Sequence, residues 1–140
     1  MRLNTYLNYG GNCAEAFRFY AEHLGARIGM MMKHGDVPDP SKVPAEMKEA
    51  VLHAQITIGD SVIMASDVPT DRFKPMRSVY LALNVESDAD AERIFKILAE
   101  GGEVYMPMQE TFFASRYAQL RDRFGTSWMI MHERPMGERP

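Results

Sequence analysis

The chain repeats itself, and that repeat constrains its fold more than any other feature. Leu7-Asn8-Tyr9 returns as Leu83-Asn84-Val85, an offset of 76 residues, and Gly25-Ala26-Arg27-Ile28 returns at the same offset as Gly101-Gly102-Glu103-Val104. Ala14-Glu15 answers to Ala91-Glu92, Ala54-Gln55-Ile56 to Ala118-Gln119-Leu120, and Gly59-Asp60-Ser61-Val62 to Gly125-Thr126-Ser127-Trp128. Five correspondences in one order point to a single folding unit used twice.

Local signals give the content of that unit. Leu3–Tyr9 alternates and reads as a strand. Gly10-Gly11 ends it, and Asn12 with Glu15 three residues on predicts a capped helix start. Ala16, Phe17, Tyr20, Ala21 and Leu24 then recur at helical spacing, and Gly25 stops the helix. Arg27–Lys33 reads as a strand, and residues 34–48, with three prolines, as a long loop. Val51–Ile58 and Ser61–Ser66 read as strands joined at Gly59-Asp60. After a linker rich in proline, the second copy runs in the same order. Ser78–Val85 is a strand, Ser87 caps a helix carrying Ile94, Ile97 and Leu98, and Glu103–Met106 is a strand. Pro107–Phe113 is a loop, and strands at Ser115–Asp122 and Ser127–His132 flank a turn at Phe124-Gly125-Thr126. The tail Arg134–Pro140 reads as loose. The expected class is α+β, two tandem βαβββ modules: module one about 1–67, linker 68–76, module two about 77–134.

Strand parity shows why one module is not enough. Leu52, Ala54, Ile56 and Ile58 face one way, and His53, Gln55 and Thr57 the other. A single helix covers only the face that carries Leu7, Ile56 and Leu83. The other face carries Asn4, Tyr6, Asn8, His53, Gln55 and Thr57 in one module, and Tyr80, Asn84, Tyr117, Gln119 and Arg121 in the second. These faces are too polar for a core and too aromatic for plain surface. The expectation is that the mixed sheets join and enclose a cleft for a small molecule.

Charge and cysteine content exclude other classes. Net charge is −3 and no basic block exists, which argues against nucleic acid as partner. No stretch approaches the ~18 apolar residues of a membrane span. Cys13 is the only cysteine, so no internal disulfide forms, and the polar N-terminal segment does not read as a signal peptide. A cytoplasmic protein is expected. Twelve methionines are expected mainly as core filler, with some lining an adaptable pocket.

Two groups are candidates for chemistry. His53 shares a strand face with Gln55 and has an imidazole able to take or give a proton near neutrality. Glu110, within Gln109-Glu110-Thr111-Phe112-Phe113, becomes a general base if apolar neighbours raise its pKa. The bland alternatives are a hydrogen-bonded structural histidine and a solvated loop carboxylate. His23 and His132 read as solvated. Trp128 reads as core. Ligand-binding candidates are Tyr6, Gln55, Tyr80, Gln109, Phe113, Tyr117 and Met129. Gly10-Gly11 lacks the spacing of a phosphate loop, and no HxH or HExxH exists.

Several segments together resemble the PhnB-like branch of the vicinal-oxygen-chelate superfamily, which includes glyoxalase I, extradiol dioxygenases and bleomycin-resistance proteins. They are Gly11-Asn12-Cys13-Ala14-Glu15-Ala16-Phe17 with Phe19-Tyr20, His53-Ala54-Gln55, Ile58-Gly59-Asp60, Met64-Ala65-Ser66-Asp67, Met106–Phe113 and Asp122–Ile130. The resemblance spans nearly the whole chain and implies paired βαβββ modules and a homodimer. Metal enzymes of the superfamily hold a divalent ion with side chains from the first and last strands of each module. Those positions fall here on Asn4 or Thr5, Ile63 or Met64, Tyr80 and Met129. Ile, Met and Tyr do not replace imidazole and carboxylate, so no metal and no cofactor are expected. The expected function is metal-free binding of a small molecule. The alternatives are a lyase or dioxygenase with nonstandard ligands such as His53 and Glu110, and a non-catalytic dimeric scaffold.

Overall fold

The structure is a computed structural model that describes residues 1–139, so Pro140 of the expected tail lies outside the described residues. The chain divides into two units, Met1–Pro75 and Met76–Pro140. Unit 1 runs β1 (Thr5–Tyr9), α1 (Cys13–His23), β2 (Arg27–Lys33), β3 (Val51–Ile58) and β4 (Ser61–Asp67). Its sheet has the order β1-β4-β3-β2, with β1 parallel to β4 and the other pairs antiparallel. Unit 2 runs β5 (Leu81–Asn84), α2 (Asp88–Ala99), β6 (Glu103–Gln109), β7 (Ala114–Arg121) and β8 (Ser127–Glu133). Its order, β5-β8-β7-β6, has the same pattern of directions.

Each helix packs its apolar stripe on one face of its own sheet. Cys13, Ala16, Phe17 and Tyr20 of α1 are buried, as are Leu7, Ala54, Ile56, Ile63 and Ala65 of the strands. In unit 2 the stripe is Ala91, Ile94 and Leu98, and the strands supply Ala118, Leu120, Trp128 and Ile130. Trp128 is 1% exposed, the interior position expected of it. Burying an aromatic or large aliphatic side chain stabilises by roughly 1.5–3 kcal/mol, so these stripes hold each helix to its sheet. Gly25 and Gly101 close the two helical segments at φ +68° and +74°, where a Cβ would be strained.

The duplication extends to a defect. Ile28 pairs with Ile56 and Met30 with Gln55, so Gly29 is one residue extra on β2. Val104 pairs with Leu120 and Met106 with Gln119, so Tyr105 is the extra residue on β6. The same bulge in the same strand of each unit re-aims Met30 and Met106 onto the helix-free faces.

Five local expectations are corrected. Asn12 stands at the helix N-cap but makes no side-chain cap bond. The Asp67 carboxylate caps α1 instead, with Oδ1 accepting from the Gly11 and Cys13 amides at 2.9 and 3.1 Å. Asp67 is the last residue of β4, one beyond the strand end expected at Ser66. β6 continues through Pro107 to Gln109, because an edge strand can present a proline's missing N–H to solvent. A register shift between Met32 and Lys33 places Val51, 2% exposed, in the buried set where Leu52 was expected. β1 and β5 are both shorter than the alternation suggested. The Ser87 cap is present, its Oγ accepting from the Asp90 amide at 3.0 Å.

Cys13 is fully buried, and its thiol pKa is pushed up from 9.0 to about 12, by burial first and by the Asp67 carboxylate second. The unfolded thiol ionises from its ordinary value upward while the folded one keeps its proton. Stability is therefore whole below that value and falls by about 1.4 kcal/mol per pH unit on the way to the folded pKa. Urea midpoints on either side of that onset should show this slope in the native chain and a flatter one in Cys13→Ala. Equal slopes would contradict the assignment.

Candidate functional site

The helix-free face of unit 1 is read directly from its pairing. Tyr6 lies opposite Met64, Met64 opposite Gln55, and Gln55 opposite Met30, giving one row across four strands. The next row places Asn8 opposite Ser66 and His53 opposite Met32. Between these rows the Tyr6 hydroxyl is hydrogen-bonded to Ser66 Oγ and lies 3.4 Å from His53 Nδ1. The Tyr6 and His53 rings are 5.8 Å apart and tilted by 38°. Ser66 Oγ also donates to the Leu52 carbonyl at 2.7 Å. Of the residues singled out from sequence, Tyr6, His53 and Gln55 thus share one face. Ser66 escaped notice because its role depends on a strand sixty residues from Tyr6.

Unit 2 repeats the first row with Ala82, Met129, Gln119 and Met106. The Met–Gln–Met sequence across the three inner and outer strands is the same in both units. Beside it, Gln119 Nε2 donates to the Tyr117 hydroxyl at 2.8 Å, and Gln109 pairs with Tyr117. The Phe113 ring meets Tyr117 edge-on at 5.0 Å, so Phe113, Tyr117, Gln109 and Met129 gather on this sheet. Tyr80, just before β5, approaches Tyr105 of β6 to 5.8 Å between rings. These residues belong to opposite edges, and flat strands spaced ~4.8 Å apart would hold them too far apart, so the sheet of unit 2 curls with this face concave.

Glu110 lies elsewhere. It forms an ion pair with Arg134 in an open groove of about 660 Å³ lined by Glu110, Thr111, Phe112, Arg134 and Glu138. Its side chain is 68% exposed, so the apolar surroundings expected around a buried base are not there. A smaller pocket of about 330 Å³ beside Gly10-Gly11 is lined in part by Glu46, Glu49 and Thr70. Glu49 is paired with Lys33 at 2.6 Å.

His132 is not merely solvated, which corrects the sequence reading. Its Nδ1 lies 2.8 Å from Asp88 Oδ1 and 3.1 Å from Ser115 Oγ, and Ser115 Oγ donates to the same Asp88 oxygen at 2.5 Å. These hydrogen bonds from Ser115, then His132, hold the Asp88 carboxyl below its ordinary pKa. The trio has the composition of a nucleophilic triad but not its geometry. A triad needs one imidazole nitrogen for the serine and the other for the aspartate, and here one nitrogen faces both. The sequence reading missed it because Asp88, Ser115 and His132 come from three separate elements.

At the positions implied for a divalent ion, Thr5 lies opposite Ile63 and Tyr6 opposite Met64 where β1 meets β4, and Ala82 lies opposite Met129 where β5 meets β8, with Tyr80 just before β5. Thioether, phenol and methyl groups do not fit such an ion. Among the described residues no group of three or more His, Cys, Asp or Glu is arranged to hold a metal.

Comparison with known proteins places this geometry among relatives. The family model described as 3-demethylubiquinone-9 3-methyltransferase matches residues 1–131. Protein YjdN of Escherichia coli (strain K12) is 32% identical over 138 residues, covering 93% of this chain and 94% of YjdN. The crystal structure of protein PA1353 from Pseudomonas aeruginosa matches with a TM-score of 0.87 at 39% identity, over 96% of this chain and 99% of that one. A PhnB protein from Bacillus cereus shares the fold at 24% identity, with a TM-score of 0.79 over 94% and 99% of the two chains.

Proposed function

The chain belongs to the 3-demethylubiquinone-9 3-methyltransferase family, a PhnB-like branch of the vicinal-oxygen-chelate superfamily, and from that premise we propose that it binds a small molecule on the helix-free faces of its sheets without the superfamily's usual metal. The observation that carries this reading is the Met–Gln–Met row repeated on both faces. Polarizable thioethers around one amide suit a flat, unsaturated ligand with a single polar edge. Tyr6, His53 and Gln55 serve one face, and Tyr80, Gln109, Phe113, Tyr117 and Met129 the other.

The family's description names a methyl transfer. Neither helix N-terminus is open to an anionic group of a cofactor. That of α1 is filled by the Asp67 carboxylate, and that of α2 by the Ser87 hydroxyl with Asp88 and Asp90 in its first turn. Neither helix start is therefore a site for an anionic cofactor group. The proposed working form is a homodimer in the cytoplasm, which rests on the resemblance; no helix among the described residues is long and apolar enough to cross a membrane.

The test is a thermal-shift screen of aromatic, enolic and carbonyl compounds on chelator-treated protein. At least one class should raise Tm, and Gln55→Leu or Gln119→Leu should abolish the rise. A flat response from every compound, or a rise that needs added divalent metal, would overturn the proposal.

A further inference from the structure

Three hydrogen-bonding groups on the helix-free face of unit 1 form a chain whose proton order can be deduced. The Leu52 carbonyl only accepts, so the single hydrogen of Ser66 Oγ is spent on it at 2.7 Å. Ser66 Oγ can then only accept from Tyr6, which spends the single hydrogen of the Tyr6 hydroxyl. The Tyr6 oxygen has lone pairs left, and the nitrogen beside it, His53 Nδ1 at 3.4 Å, must be the one that carries hydrogen. The other nitrogen, Nε2, then holds a bare lone pair, and it has no hydrogen-bond partner among the described residues.

We propose that Ser66 and Tyr6 are positioning residues that hold neutral His53 in its Nδ1–H tautomer, leaving Nε2 as an acceptor for a ligand presenting an acidic O–H or N–H, a phenol or enol being the fitting class. The ligand half of this inference rests on the binding reading above; the tautomer half does not. Met32 opposite His53, and Gln55 and Met64 one row away, supply a soft wall and one amide for the rest of such a ring. A ligand with only acceptor groups would meet the Nε2 lone pair with its own and be rejected. The device is longer than a pair for a physical reason: without Ser66, the Tyr6 hydrogen is free to turn to Nδ1, which moves the imidazole hydrogen to Nε2 and reverses the polarity offered to the ligand.

Long-range proton–nitrogen NMR of the ligand-free chain in mildly alkaline buffer reads the tautomer directly. The native chain should show Nδ1 protonated and Nε2 bare. Ser66→Ala should shift His53 towards Nε2–H, Ser66→Thr should restore the native pattern, and Tyr6→Phe should leave a mixture. An Nε2–H tautomer in the native chain, or no change in Ser66→Ala, would overturn the inference. Phenol and its methyl ether, anisole, then probe the ligand class. Phenol should bind about tenfold more tightly, move the Nε2 signal, and lose its advantage in Ser66→Ala. Equal affinity would overturn the ligand class. Failure of both compounds to bind would also overturn it and count against the binding reading, while the ligand-free spectrum still decides the tautomer.

Discussion

Asp67→Ala is expected to destabilise the chain by about 3–5 kcal/mol, the loss of a buried carboxylate that serves several amides at once. Asp67 is 2% exposed. Its Oδ1 accepts from the Gly11 and Cys13 amides, and its Oδ2 from the Val51 amide at 2.9 Å. One side chain therefore pins the end of β4 to the start of α1 and the start of β3. The Asp67 carbonyl also receives His34 Nε2 at 3.0 Å, which ties in the long loop. Removing the carboxylate leaves three amides without an acceptor, of which the Cys13 and Val51 bonds are buried. It also removes a negative charge from the positive end of a helix. Asp67→Asn keeps one oxygen and should cost about half as much. Urea unfolding followed by far-ultraviolet circular dichroism measures both. A change below about 1 kcal/mol in Asp67→Ala would mean that water or a rearranged Asn12 replaces the cap.

Asp122→Ala should cost about 3–4 kcal/mol by the same logic in the other unit. Asp122 is 4% exposed. Oδ1 accepts from the Phe124 and Thr126 amides, each at 2.9 Å, and Oδ2 from Trp128 Nε1 at 2.9 Å. The carboxylate shapes the β7–β8 turn and gives the buried indole its partner, which a Trp in a core requires. Trp128 is the only tryptophan, so its fluorescence reports the loss without ambiguity. The midpoint of unfolding should fall and the native emission should change in Asp122→Ala. In Asp122→Asn the turn amides retain an acceptor, so the stability loss should be smaller. Unchanged emission together with an unchanged midpoint would refute the role.

The two aspartates also show how duplicated units diverge. Asn8 pairs with Ser66 and Tyr9 with Asp67, while Asn84 pairs with Met131, so His132 occupies in unit 2 the place of Asp67 in unit 1. One unit satisfies its helix start with a carboxylate from the strand. The other uses Ser87 from the chain itself and sets His132 against Asp88 on the helix. The topology survived the exchange because it depends on the apolar stripes, which both units keep.

Much of the fold was legible in the order of residues. Periods of 2 and 3.6, the glycines at 25, 59, 101 and 125, and the repeat itself are all local signals. They were enough for the element order, the two faces of β3 from His53 onward and the interior place of Trp128. Even the Met and Gln residues of the helix-free rows follow from parity once the bulges are known. The bulges, the strand that runs through Pro107 and the choice of Asp67 over Asn12 as cap were not legible. Each is decided by which strand lies next to which, and a partner's distance along the chain leaves no trace in either segment. The candidate site divides in the same way. His53 could be named from sequence as an imidazole on a polar face, because the alternation of its own strand determines that. Which of its nitrogens is bare depends on Tyr6 and Ser66, brought beside it from β1 and β4, and hydrogen-bond direction is a property of groups in contact that only the tertiary structure assembles.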